Sequence, residues 1–395
     1  MENMQKHTKF QRYVLPGLIF QSIVIAGGYG TGAELTEFFF PYGSLGGLLS
    51  MSLVTFGVWG LVCAVTFEFS RIFKTYEYKS LFRALLGRAW FLYEICYMAL
   101  LLIVLAVVAS SAGLNVKEVL GIHPWWGIGF MAVAVCFLVL KGTKAIETFL
   151  SYWSYVLYAV YILFLILCFT RFGGQISYQL HTVREIGSGW MMGGAKYAFY
   201  NLGIIPAVLF STRDAQSRRE AVCSGIIAGA VGIIPAILLF VAMTGFYPEI
   251  TTVTVPINRI FRALQMPWLQ AAFQIVLFGT LIETGAGFIK AVTDRFESPY
   301  VKSRREAPRW MRPTITVGCV SLGIVISSFG LTDLISKGYG TITWGFFVLY
   351  VIPILTVGVY QIARSSGKRK RAQSPARQIG QAVCREANCG HCSRR

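Results

Sequence analysis

The sequence predicts an all-α integral membrane protein of about ten crossing helices. They form two five-helix halves of opposite orientation, and the first helix of each half is broken. Three observations lead there: apolar blocks of membrane-crossing length, a one-sided distribution of Lys and Arg, and helix-breaking residues at matching places in the two halves.

The apolar blocks come first. The chain has 395 residues, of which 55% are hydrophobic and only 14% charged. Its mean hydropathy is +0.59. A soluble domain of this size needs more charge to cover its surface. The apolar residues run on all sides of the expected helices, and the blocks approach the ~20 residues that cross the hydrocarbon. We place the spans at 13–40, 43–70, 89–114, 124–140, 148–170, 190–211, 221–246, 267–291, 313–330 and 340–362. Helices are the spanning structure that such blocks allow, because backbone exposed to lipid must satisfy its own hydrogen bonds. Two further short helices are expected between spans, a basic aromatic one at 72–88 and one at 256–265 that opens on Pro256.

The charge gives orientation. The net charge of +18 is not that of a nucleic-acid reader, for no aromatic-basic recognition motif accompanies it. With the N-terminus placed in the cytoplasm, 29 of the 36 Lys and Arg residues fall in inner segments and the tail, and six fall outside. This split predicts a multi-pass protein of the cell membrane with both termini cytoplasmic. The chain then divides into a cytoplasmic N-terminus (1–12), a first repeat (13–170), an outer connection (171–189), a second repeat (190–362) and a basic tail (363–395). Lys368-Arg369-Lys370-Arg371 and the basic loops are expected to contact anionic lipid. Cys384, Cys389, His391 and Cys392 in the tail form no paired zinc motif, so no metal or cofactor is expected. The oligomeric state is not legible.

The breaks give function. Gly27-Gly28-Tyr29-Gly30-Thr31-Gly32 lies inside the first span. Each glycine costs a helix roughly 1 kcal/mol relative to alanine. Small residues used only for close packing would sit four apart on one face; here they occupy every face, which favours unwinding. Tyr200-Asn201-Leu202-Gly203-Ile204-Ile205-Pro206 weakens the sixth span, where Pro206 removes a backbone hydrogen bond. Interrupted helices at matching positions of two halves mark the binding site of a secondary transporter. The expected solute site is Gly28, Tyr29, Gly30, Thr31, Gly32, Glu34, Tyr200 and Asn201, with Phe199 on its wall.

Ionisable groups inside spans point the same way, because each costs ~2.5–3.5 kcal/mol at a helix centre. Glu34 and Glu37 share a face, and Lys196 lies about one turn before Asn201 on the outer half of the sixth span. A Glu34–Lys196 pair would serve as a gate, a proton-coupling pair or a purely structural tie. Thr280, Glu283, Thr284 and Gly287 form one stripe of the eighth span. Glu283 would carry H+, or the threonines simply make a helix contact.

Gly28-Tyr29-Gly30-Thr31-Gly32-Ala33-Glu34, then Phe38-Phe39 and Tyr42-Gly43, resembles the opening signature of the YkvI-like bacterial membrane proteins. The stretch Tyr197 to Asn201 before Leu202-Gly203 is similar to that family's sixth span, and Ser336-Lys337-Gly338-Tyr339-Gly340 to its last outer loop. The departure is Ala33, where the family often has Gln. The resemblance implies the amino acid–polyamine–organocation superfamily, the leucine-transporter (LeuT) fold and alternating access. That fold would set Thr280 and Thr284 against carbonyls near Ala26 and Gly27 as a Na+ site. The expected function is secondary active transport of a small amino-acid-like or organic-cation solute with Na+ or H+. A membrane sensor or a channel using the same fold is the alternative. The four histidines lie near termini or loops, so an intramembrane enzyme is not expected.

Overall fold

Apolar side chains on every face leave the long segments one stable arrangement in lipid, the α-helix. The computed structural model describes residues 9–25, 27–141, 143–302 and 308–365. These are helical, with no strand among the described residues. Among the described residues seven helices are long and apolar enough to cross a membrane: Ser44–Phe73, Tyr78–Leu120, Pro124–Lys141, Tyr155–Val183, Arg218–Thr244, Pro267–Glu297 and Leu331–Ser365. Three more crossings complete the ten. Met311–Ser327 is short but apolar. The other two, the first and sixth, are interrupted.

The helices run longer than the apolar blocks that announce them. The fifth extends over Thr143–Tyr178 and the eighth over Pro267–Lys302. Hydropathy marks where hydrocarbon ends, whereas helix formation continues through polar residues into the interface. Both short helices are present, as Tyr78–Leu86 and Pro256–Leu264. Span ten, Leu331–Ser365, contains a π-helical turn at Leu334–Tyr339; such turns are frequent at functional sites.

Small residues bring the two halves together. Seventh-span helix Arg218–Thr244 lies along the second span, where a Cβ on Gly229 would sit 2.6 Å from the Gly60 nitrogen. The first span approaches the same helix, Gly17 against Ala228. Close backbone approach of this kind holds membrane helices together without a hydrophobic driving force.

Ion pairs lace the face of the bundle at which the first helix begins. Arg12 lies 3.6 Å from Glu220. Arg71 makes two bonds of 2.8 Å to Glu68. Arg295 donates to Glu94 at 2.9 Å and lies between the rings of Tyr78 and Tyr97, 4.2 and 4.0 Å from their centres. We call this the terminal face. On the opposite face the Glu185 carbonyl accepts from the Leu45 and Gly46 N–H groups. The basic run Lys368–Arg371, the tail Cys and His residues and Ala26 lie outside the described residues.

Candidate functional site

The glycine run does unwind the first span. Helix Leu15–Val24 stops at Ile25, whose ψ of 78° leaves the helical region. A single turn follows at Gly27–Gly30, then a bend at Thr31 and Gly32, then a second half-helix, Ala33–Phe38. Gly32 takes φ +82°, a left-handed value that glycine adopts without penalty. The freed backbone groups find partners. Thr31 Oγ1 donates to the Gly28 carbonyl at 3.0 Å. The Ile257 N–H, from the short helix Pro256–Leu264, donates to the Thr31 carbonyl at 3.2 Å. That helix thereby plugs the break from the opposite face.

Glu34 sits in the first turn after the break and is only 2% exposed. Its side chain folds back over the glycines. The Tyr29 backbone N–H donates to its carboxylate. A Cβ on Gly28 would stand 2.8 Å from Glu34 Cγ, so the carboxylate occupies the space that a larger residue would fill. From the sixth span, Tyr200 Oη donates to Glu34 Oε2 at 2.5 Å.

The sixth span is helical over Trp190–Leu202, turns at Gly203 and Ile204, and continues as short 3-10 turns, Ile205–Ala207 and Leu209–Thr212. Tyr93, from the third span, donates to the freed Gly203 carbonyl at 2.5 Å. A Cβ on Gly203 would press on the Phe346 ring, which packs against this second break.

Aromatic rings close the site from the opposite face. Tyr200 stacks on Tyr339 at 4.5 Å and 8°, and on Phe38 at 5.6 Å. Tyr197 meets Tyr200 edge-on at 5.5 Å. Beneath them is a small chamber of about 20 Å³, lined by Glu34, Tyr200, Asn201, Tyr339, Leu100 and Val104. Ile23, Ile204 and Phe288 form its floor and also belong to a larger vestibule of about 290 Å³. The vestibule runs past Glu283, Thr284 and Gly287 to Phe210 and Lys290, toward the terminal face.

The expected site residues divide. Glu34, Tyr200 and Asn201 meet in the chamber. Asn201 Nδ2, however, donates to the Tyr197 carbonyl in its own helix. Gly28, Gly30, Thr31 and Gly32 shape the break rather than line the chamber, and Gly30 lies against Leu277 of the eighth span. The Tyr29 ring points away, into a separate apolar cavity; its hydroxyl meets Tyr161 at 3.2 Å. Phe199 likewise turns away and stacks on Phe347 at 4.6 Å.

The expected Glu34–Lys196 pair is not formed. Glu34 bonds to Tyr200 instead, and the carboxylate within electrostatic reach of Lys196 is Glu37. The reason is depth: Lys196 precedes Tyr200 by four residues on the same helix face, one turn nearer the start of the helix, where it is only partly buried, while Tyr200 is buried at the level of Glu34. Of the eighth-span stripe, Glu283, Thr284 and Gly287 line the vestibule. Thr280 donates to the Val276 carbonyl of its own helix at 3.0 Å. Gly27 opens the short turn beside Ala26. Sequence reasoning passed over Tyr339 as a chamber residue, Phe38 and Tyr197 as rings packed on Tyr200, and Tyr93 as the donor to the Gly203 carbonyl. The signal for Tyr339 was in the Gly338-Tyr339-Gly340 run, which it read as a loop.

Two five-helix halves, each opening on a broken helix, with the breaks face to face, define the LeuT fold. Solved transporters share it. The chain is similar to MhsT, solved in complex with L-phenylalanine, with a TM-score of 0.57, 15% identity, and coverage of 92% of this chain and 99% of that one. It is similar to a Na+-coupled sialic acid symporter, with a TM-score of 0.60, 14% identity, and coverage of 87% and 79%. It is also similar to a manganese transporter of Eremococcus coleocola, with a TM-score of 0.52, 17% identity, and coverage of 90% and 80%. No family model and no curated protein sequence matches the chain.

Proposed function

We propose that this chain is a secondary active transporter of the YkvI-like kind. It moves a small solute across the cytoplasmic membrane by alternating access, driven by Na+ or H+, with both termini in the cytoplasm. The observation that carries this reading is Glu34: a carboxylate buried at membrane depth, held over one helix break, bonded to the other broken helix, and without an ion-pair partner among the described residues.

Such a carboxylate costs free energy unless something positive or a proton joins it. An ammonium group supplies the charge, and the rings of Tyr200, Tyr339 and Phe38 add cation–π attraction. The solute is therefore an organic cation or an amino acid. For an amino acid, backbone N–H groups freed at the breaks suit the carboxylate end. The similar structures include one in complex with L-phenylalanine and a substrate-bound sialic acid symporter, which supports a small-molecule solute.

The vestibule ends blind beneath the aromatic stack, which favours a carrier over a channel. The conformer is one whose site communicates with the terminal face, taken as cytoplasmic from the 29-to-6 division of basic residues. Glu283 and Thr284 in that vestibule are the coupling residues.

Reconstitution tests the reading. Proteoliposomes with an imposed Na+ or pH gradient should accumulate a labelled amine or amino acid above its equilibrium level, with saturation. Binding without accumulation would instead make the protein a sensor, and an unsaturable current would make it a channel.

A further inference from the structure

A further cavity lies on the flank of the bundle, between the third, fourth, fifth and eighth spans. Its volume is about 470 Å³, and Val116, Phe130, Trp153, Ile275, Phe278 and Ile282 form apolar walls. Leu120, Phe130 and Ile275 at its edge are exposed on the surface that the membrane covers. Two amides interrupt the walls. Asn115 is 1% exposed and Gln274 8%, and both line the cavity. Asn115 Oδ1 and Gln274 Oε1 are buried without a hydrogen-bond partner.

The other end of Gln274 is occupied. Gln274 Nε2 donates to Asn258 Oδ1 at 2.7 Å, Asn258 Nδ2 donates to Glu118 Oε2 at 3.0 Å, and Glu118 lies 3.7 Å from Arg262. This relay from the opposite face fixes the Gln274 amide and leaves its oxygen buried in the cavity wall without a donor. Unmet polar atoms at membrane depth are costly, and both unmet atoms are acceptors. What they lack is a donor.

The position says where the donor comes from. Gln274 lies seven residues into helix Pro267–Lys302, about 10 Å below its end. That depth, open to the bilayer, is where the glycerol of a lipid sits above its acyl chain. A cavity of this volume accepts a single-chain molecule rather than a neighbouring helix. We propose that it binds a single-chain glycerolipid. Glycerol hydroxyls donate to Asn115 Oδ1 and Gln274 Oε1, and the acyl chain lies along Phe278 and Ile282.

The test uses the full chain in detergent and two probes of equal chain length, a 1-monoacylglycerol and the corresponding fatty acid methyl ester, which has no donor. The monoacylglycerol should raise the unfolding midpoint at about tenfold lower concentration than the ester. In Asn115→Leu/Gln274→Leu the difference should vanish. Gln274→Leu alone should reduce it, should the double variant not fold, and the ester control on the unchanged chain is independent of both. Equal potency of the two probes overturns the proposal, as does a preference that survives the substitutions. So does the absence of any lipid effect together with dimer cross-linking through Ile275→Cys, which would make the cavity a subunit contact.

Discussion

Tyr200 and Glu34 belong to the two broken helices, one in each half of the chain, and are joined by a hydrogen bond from the Tyr200 hydroxyl to the Glu34 carboxylate. The bond ties one break to the other at the wall of the chamber. It also fixes one carboxylate oxygen and leaves the other over the glycines.

Glu34→Gln keeps the shape and the bond to Tyr200 but removes the charge. Solute affinity should fall about 10- to 100-fold, the size of a lost charge-assisted interaction. Insertion and a monodisperse elution profile should be kept. Tyr200→Phe, which keeps the stack on Tyr339 and loses the bond, should cost about 5- to 30-fold. Binding titrations on both variants check this.

Gly28→Ala places a methyl group on the Glu34 side chain and should displace it. Uptake should drop to near background. Gly57→Ala, which meets nothing within 4 Å, should behave as the unmodified protein. Parallel uptake assays at equal expression decide the comparison. Equal loss in both would mean that general helix packing, not the Glu34 approach, sets the effect.

Glu283→Gln and Thr284→Ala alter the vestibule without touching the chamber. They should abolish gradient-driven accumulation while solute binding in detergent changes less than about threefold. Which imposed gradient loses its effect, Na+ or pH, identifies the coupling ion.

Arg295 closes the terminal-face end of the third and eighth helices, paired with Glu94 and held between Tyr78 and Tyr97. Arg295→Ala should destabilise the protein by about 1–3 kcal/mol, from a partly buried ion pair and two ring contacts. Arg295→Lys should recover only part of this, because an ammonium does not stack flat on two rings. Thermal unfolding of the three forms in one detergent measures it.

The sequence made the fold legible because the fold rests on signals that are local in the chain. Ten apolar blocks, the glycine run at 27–32 and the Asn-Gly-Pro sequence at 201–206 are each read within a few residues. The site was legible only in part. Glu34, Tyr200, Glu283 and Thr284 stand out by residue type. The partner of Glu34 did not, because Lys196 and Tyr200 sit one turn apart on one face and only tertiary packing decides which of them lies level with Glu34. Tyr339 comes from a π-helical turn 139 positions after Tyr200, and no local pattern connects them. Tyr29 was misjudged for a related reason. The short turn at Gly27–Gly30 rotates its ring toward the fifth and seventh spans, where Tyr161 and the Pro235 carbonyl continue a hydrogen-bonded chain.

The central claim is that Glu34 receives the positive end of the solute. The direct measurement is thermal stabilisation of the unmodified protein and of Glu34→Gln by a panel of primary amines and amino acids, each paired with its deaminated analogue. The account predicts that at least one amine stabilises the unmodified protein, that its deaminated partner does not, and that Glu34→Gln loses the response. Stabilisation by the deaminated compounds alone, or an undiminished response in Glu34→Gln, would contradict it.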